Sequence, residues 1–148
     1  MKALIQRVSS ASVTVDGKTV GNIGVGLCVF LGIGHDDTEK DVEWLSEKLI
    51  NLRVFEDNDG KMNLSLRDVD GEMLIISQFT LYGDCRAGRR PSFANAALPA
   101  KAEPLYKSFI SNVERKGIIA ASGVFGADMK VSLLNDGPVT FMLESPAA

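Results

Sequence analysis

Apolar positions along the chain switch between a two-residue repeat and a helical one, and each switch marks an element. Residues 2–15 read as strand, with Ala3 and Ile5 and then Val13 and Val15 alternating with polar neighbours. Asp16-Gly17 is a two-residue hairpin signal, and a short strand follows over 19–23. Residues 25–33 are apolar throughout, which predicts a strand buried on both faces. A helix comes next. Thr38 with Asp41 three positions later forms a capping box, and Val42, Leu45, Leu49 and Leu52 recur at helical spacing.

Residues 53–56 return to strand and stop at the turn Asp57-Asn58-Asp59-Gly60. A second buried strand is expected over 73–80, ending in Ser77-Gln78-Phe79-Thr80, before a polar, arginine-bearing loop over 81–99. The second helix is placed at 100–116, with Leu105, Phe109, Ile110 and Val113 on one face. Pro104 is read as lying in its first turn, where a missing N–H costs little, and Gly117 as its terminator. Three further strands are expected at 118–125, 130–134 and 139–143, the last two joined by a turn at Asp136-Gly137-Pro138. Many strands and two helices predict an α+β fold. The sheets are expected to be mostly antiparallel, barrel-like or two-sheet, with the helices packed outside. No repeat or linker-like stretch divides residues 1–148, which are read as a single domain.

Composition agrees with a packed core, since 45% of the 148 residues are hydrophobic and 24% charged. No apolar run approaches the roughly 20 residues of a membrane helix, and residues 1–10 lack the apolar block of a signal peptide. A cytoplasmic location without a membrane partner is expected. The net charge of −3 and the isoelectric point near 5.2 oppose broad contact with nucleic-acid backbone, so DNA is not an expected partner. Arg86, Arg89 and Arg90 make a local exception. They are either a solvated loop or a short phosphate contact.

One histidine, His35, removes most metal sites and most histidine-based catalysis, and it sits in a turn expected to face solvent. Cys28 lies within an apolar strand and Cys85 in the arginine-bearing loop, a pair that fits neither a disulfide framework nor a four-ligand zinc site. No phosphate loop or dinucleotide fingerprint occurs, so neither metal nor cofactor is expected. Two segments remain unusual. Ser77-Gln78-Phe79-Thr80 either presents N–H groups and hydroxyls to a ligand or bonds to neighbouring backbone where its strand stops. Gly137-Pro138-Val139-Thr140 reads by itself as a structural turn.

Taken together, five blocks resemble the D-aminoacyl-tRNA deacylase family. They are the opening residues 6–13 (QRVSSASV), residues 77–84 (SQFTLYGD), Arg90-Pro91-Ser92-Phe93, residues 123–129 (GVFGADM) and residues 135–140 (NDGPVT). They occur in order and span nearly the whole chain. The resemblance implies hydrolysis of the ester joining a D-amino acid to the terminal adenosine of tRNA, by a homodimer. It implies that Gly137-Pro138 is a cis element inserted into the partner's site, rejecting side chains in the L direction, with Val139 and Thr140 beside it. Glycyl-tRNA, having no side chain to reject, is expected as a further substrate. Arg7 is implied to hold this element through backbone carbonyls; read alone, it is equally a surface strand residue. Ser77, Gln78, Phe79 and Thr80 are implied to line the reacting centre. Phe125, Gly126, Ala127 and Met129 are implied to lie near the adenosine, although Phe125 and Met129 also suit a core. The family reading, in which the substrate 2′-OH assists attack by water, suits a site where Thr80 has no evident base and is preferred to a threonine nucleophile. A related enzyme removing L or achiral amino acids and a non-catalytic module binding the tRNA end are the other readings.

Overall fold

In this computed structural model, residues 1–147 are described. The longest alternating segment forms β1 (Lys2–Val15), and Asp16-Gly17 turns it back into β2 (Lys18–Ile23). Both turn residues have positive φ, 51° for Asp16 and 78° for Gly17, as a tight hairpin between twisted strands requires. The apolar run becomes β3 (Gly26–Gly32), antiparallel to β1. Helix α1 (Glu39–Asn51) starts at the expected capping box: Thr38 N–H donates to Asp41 Oδ2 at 2.8 Å.

The chain then makes the small β4 (Phe55–Glu56) and β5 (Met62–Leu64), before β6 (Glu72–Ser77) and a 3-10 turn (Phe79–Tyr82). Helix α2 (Pro99–Arg115), β7 (Ala120–Ser122) and β8 (Lys130–Glu144) follow. The main sheet has the order β2-β1-β3-β6-β7, with β8 also paired to β1. The β1 pairings are all antiparallel, whereas β3–β6 and β6–β7 are parallel. Each parallel pair is joined across a helix, as parallel neighbours require. The architecture is thus α+β, with a strongly curved, nearly closed mixed sheet.

Because β3 and β6 are central, their two faces feed two cores. Leu27, Val29, Leu31, Met73 and Ile75 meet Leu45, Leu49, Ile50, Phe109 and Val113 of the helices. The alternate residues Cys28, Leu74 and Ile76 meet Val8, Ala11, Val13 and Ile23 inside the curl of the sheet. Burial on both faces, read from the unbroken apolar run, is what the structure has.

Four expectations need correction. The strand over 73–80 ends at Ser77, because its partner β3 stops at Gly32; Gln78 N–H still reaches the Leu31 carbonyl at 2.8 Å, and the chain then coils. Asp136-Gly137-Pro138 is no turn between two strands. It lies inside the continuous β8, which runs antiparallel to β1 on both sides of it. The strand over 118–125 shrinks to Ala120–Ser122, an edge segment paired to β6. Pro104 sits in the second turn of α2, since the helix begins at Pro99; the Ala100 carbonyl left without its helical donor lies on an exposed residue. The β5 partner of β4 was not anticipated at all, being a three-residue segment of mixed character. Among the described residues, no helix is long and apolar enough to cross a membrane.

Candidate active site

Ser77 is the last residue of β6, and the chain bends at Gln78 into the 3-10 turn. Leu81 N–H closes on the Gln78 carbonyl at 3.3 Å and Gly83 N–H on the Thr80 carbonyl at 2.9 Å. Phe79 and Thr80 open that turn, so their N–H groups have no partner within it. Gln78 Nε2 donates to Thr80 Oγ1, which ties the two polar side chains together. Thr80 has no histidine or carboxylate hydrogen-bonded to its hydroxyl among the described residues.

A cavity of about 500 Å³ opens beside this segment. Ser77, Gln78 and Phe79 form one wall, and Phe125, Gly126, Ala127 and Met129 form another. The structure therefore brings together two of the three groups singled out in the sequence. Thr80 is exposed at the edge, outside the lining. The remaining wall comes from the start of α2 and the loop before it, including Phe93, Ala96, Ala97 and Leu98. These residues were missed as site residues. Phe93 carried a signal, being an aromatic residue in a quoted motif, and it meets Phe79 edge-on with ring centroids 5.1 Å apart. Asp128 is the one titratable residue in the lining. No group of three or more His, Cys, Asp or Glu side chains suited to a metal ion occurs among the described residues.

Arg7, Gly137, Pro138, Val139 and Thr140 do not line this cavity; they form a second construction. Val8 pairs with Asn135 and Gln6 with Thr140, so Asp136, Gly137, Pro138 and Val139 stand opposite Arg7 alone. The surplus residues bulge outward, and Gly137 and Pro138 are exposed with a cis bond between them. Arg7 fills the gap: it is 6% exposed, its Nε donates to the Asp136 carbonyl at 3.0 Å and its Nη1 to the Val54 carbonyl at 2.9 Å. The surface alternative for Arg7 is thereby excluded. Asn135 Nδ2 clamps the neck, donating to the carbonyls of Arg7 and Val139 at 3.0 Å each. Val139 is buried, and Thr140 Oγ1 accepts from Gln6 Nε2 at 3.1 Å, so both secure the return of the bulge to the sheet.

The other candidates stand apart. His35 is exposed, with Nε2 2.6 Å from the Ala94 carbonyl, and is no part of the cavity. Burial pushes the Cys28 thiol up to about 12, which makes it inert, and Cys85 is exposed. Arg86 is paired with Asp84 at 2.7 Å, and this guanidinium holds the Asp84 carboxyl down to about 2.

A family model for D-Tyr-tRNA(Tyr) deacylase matches residues 4–144. The chain belongs to that family. Its reaction is that of the deacylases, hydrolysis of the ester holding a D-amino acid on tRNA. A D-aminoacyl-tRNA deacylase of Thermotoga petrophila is 57% identical over 145 residues, covering 98% of this chain and 97% of the relative. One from Desulfatibacillum aliphaticivorans is 59% identical, covering 98% and 99%. Among solved structures, one described as a c-Myc DNA Unwinding Element Binding Protein superposes with a TM-score of 0.93 at 47% identity, covering 99% of this chain and all of that one. A probable eukaryotic D-amino acid tRNA deacylase shares the fold, with a TM-score of 0.81 at 20% identity over 96% and 97% of the two chains.

Proposed function

We propose that this deacylase is a chiral proofreading enzyme of translation, working in the cytoplasm as a homodimer whose subunits complete each other's sites. The observation that carries this reading is the separation of the two constructions. Gly137-Pro138 is exposed and held rigidly, yet lies outside the cavity of its own chain. A second copy supplies a use for it: Gly137 and Pro138 of one subunit enter the cavity of the other. The exposed apolar residues Leu134, Phe141 and Met142 flank the bulge on β8 and support an interface there.

In the completed site, the terminal adenosine rests against Phe125, Gly126, Ala127 and Met129, and the amino acid extends towards Ser77–Thr80. The carbonyls of the inserted element occupy the space that an L side chain would need. A D side chain points away from them, so selection works by exclusion and tolerates many D-amino acids. Glycine presents nothing to exclude, and glycyl-tRNA is cleaved as well.

For hydrolysis, Phe79 and Thr80 offer N–H groups free of bonds within the turn, which stabilise negative charge developing on the substrate carbonyl oxygen. With Asp128 as the one titratable residue in the lining, the cavity offers no histidine to activate water or Thr80. The substrate 2′-OH, adjacent to the scissile ester, assists attack by water instead, and the enzyme contributes orientation. No metal or cofactor is required.

The deciding experiment is deacylation of matched D-tyrosyl-tRNA and L-tyrosyl-tRNA by chelator-treated protein. Rapid loss of the D ester with the L ester spared is expected. Equal loss of both would remove the exclusion mechanism, and loss of activity on chelation would remove the metal-free chemistry.

A further inference from the structure

Tyr82 closes the 3-10 turn that Phe79 opens, and its side chain is held from three sides. Its ring lies on a floor of two glycines. A Cβ at Gly34 would stand 3.0 Å from Cε1, Cζ and Oη of Tyr82, and one at Gly32 would stand 3.3 Å from its Cδ2. Lys2 Nζ lies 4.6 Å from the ring centroid on another side, a cation–π contact. The Tyr82 hydroxyl donates to Asp37 Oδ2 over a long 3.4 Å.

Asp37 is itself fixed. It is 8% exposed, and the same Oδ2 accepts the Gly34 N–H at 2.7 Å. Its Oδ1 takes the Met1 ammonium at 2.6 Å, and that ammonium also donates to Ser145 Oγ at 2.9 Å. Ser145 Oγ in turn donates to Asp41 Oδ1 at 2.6 Å, and Asp41 completes the capping box of helix α1. The seat of Tyr82 is thus tied to β1, to the end of β3 and to the start of α1. A connected hydrogen-bond network of this kind, buried at Met1 and Asp37 and half-buried at Tyr82 and Asp41, favours one arrangement. Burial, together with the Asp37 charge, holds the phenol well above its ordinary range, so it stays a donor.

None of these groups lines the cavity, yet the turn that Tyr82 ends is the one that begins with Phe79 and Thr80. We propose that Tyr82, seated on Gly32 and Gly34 and anchored to Asp37, is a positioning residue that sets where Phe79 and Thr80 stand relative to the substrate carbonyl. This rests on the reading of Ser77–Thr80 as the reacting segment. The 3-10 bonds from Leu81 to Gln78 and from Gly83 to Thr80 make the turn a stiff lever, so a shift at one end is felt at the other. Misplacement of reacting groups by about 1 Å can cost a hundredfold in rate.

The test measures kcat and KM for D-tyrosyl-tRNA separately, on variants confirmed as folded by circular dichroism and thermal melting. Tyr82→Leu, which leaves the glycine floor empty, should lower kcat at least about tenfold with KM within about threefold of the parent. Tyr82→Phe keeps the ring seated but loses the Asp37 anchor, and its kcat should lie between those of Tyr82→Leu and the parent. Gly34→Ala brings a Cβ within 3.0 Å of the ring, which must give by a few tenths of an ångström, and should lower kcat less than Tyr82→Leu while adding nothing in the Tyr82→Leu background. Full additivity of those two changes, or unchanged kcat in Tyr82→Leu, would overturn the proposal. Should Tyr82→Leu fail to fold, Tyr82→Met and Gly34→Ala carry the same test, and unchanged kcat in either overturns it. Phe79→Pro, which removes one of the two N–H groups at the first position of the turn without breaking a bond within it, separates the two readings. If it loses kcat and Tyr82→Leu does not, the positioning role alone falls; if neither loses kcat, the assignment of the reacting segment falls with it.

Discussion

Arg7 holds the carbonyl of Asp136 with its Nε at 3.0 Å, across a gap where one residue of β1 faces four of β8. This single bond, with the second to Val54, converts a long bulge into a fixed projection. Glu56 at 3.7 Å and the Asp136 carboxylate at 3.8 Å balance the guanidinium charge at longer range.

Replacing Arg7 by Ala leaves the Val54 carbonyl, buried with its residue, without its donor and frees the bulge. An unpaired buried acceptor costs about 1–3 kcal/mol, and lost packing of the Arg7 stem adds to it. Thermal denaturation should show the loss. Hydrolysis of L-tyrosyl-tRNA should rise relative to the D ester. Arg7→Lys should recover little of either, because a single ammonium does not span both carbonyls.

Gly137 has φ +135°, and a Cβ there would stand 2.7 Å from Val139 Cγ2 and 3.1 Å from Arg7 Nη2. Gly137→Ala should therefore cost about 1–3 kcal/mol of stability through backbone strain. Its larger effect should be on discrimination: the ratio of D to L cleavage should fall about tenfold or more, a loss of some 1.4 kcal/mol in differential barrier. A ratio equal to the parent's would dismiss the exclusion role.

Arg89 and Arg90 are exposed, while Arg86 is occupied by Asp84. If the loop meets tRNA phosphate, charge reversal at Arg89 and Arg90 should raise KM several-fold in low salt and less in high salt. Arg86→Glu should have the smaller binding effect while disturbing the loop, because it repels Asp84. KM values independent of all three changes would leave the loop without a role in binding.

The Cys28 thiol gives a pH signature. Its ordinary value is 9.0 and its folded value about 12, so the folded chain keeps a proton that the unfolded chain releases. Its contribution is complete below pH 9 and declines as pH rises towards 12, by up to about 1.4 kcal/mol per unit. Cys28→Ser or Cys28→Ala should flatten that part of a denaturation curve. In native protein, a thiol reagent at pH 8 should label Cys85 alone, and both cysteines only after unfolding.

Much of the fold was legible in the chain because its signals were local. The Asp16-Gly17 hairpin, the Thr38–Asp41 cap and the unbroken apolar run of β3 each act within a few residues, and each holds. What misled was non-local. Gly-Pro after Asp136 looks like a chain reversal, and only pairing to β1 on both sides keeps β8 running in one direction. Likewise, nothing near Ser77 announces that β3 has ended beside it. At the site, the motifs located Ser77–Phe79 and Phe125–Met129, which meet in one cavity. The contributions of Ala96, Ala97 and Leu98 were hidden because they come from a loop without periodicity, and the Asn135 clamp because one of its two acceptors, the Arg7 carbonyl, lies on another strand.

The separation of bulge and cavity within one chain has a genetic consequence. In the pairing we propose, a chain altered at Gly137 and a chain altered at Phe79 are each inactive or indiscriminate as pure dimers. Mixed and reassembled, they yield hybrids in which the sound cavity of one meets the sound bulge of the other. Each hybrid holds one restored centre and one doubly damaged centre, so two defective alleles together recover selective activity that neither has alone.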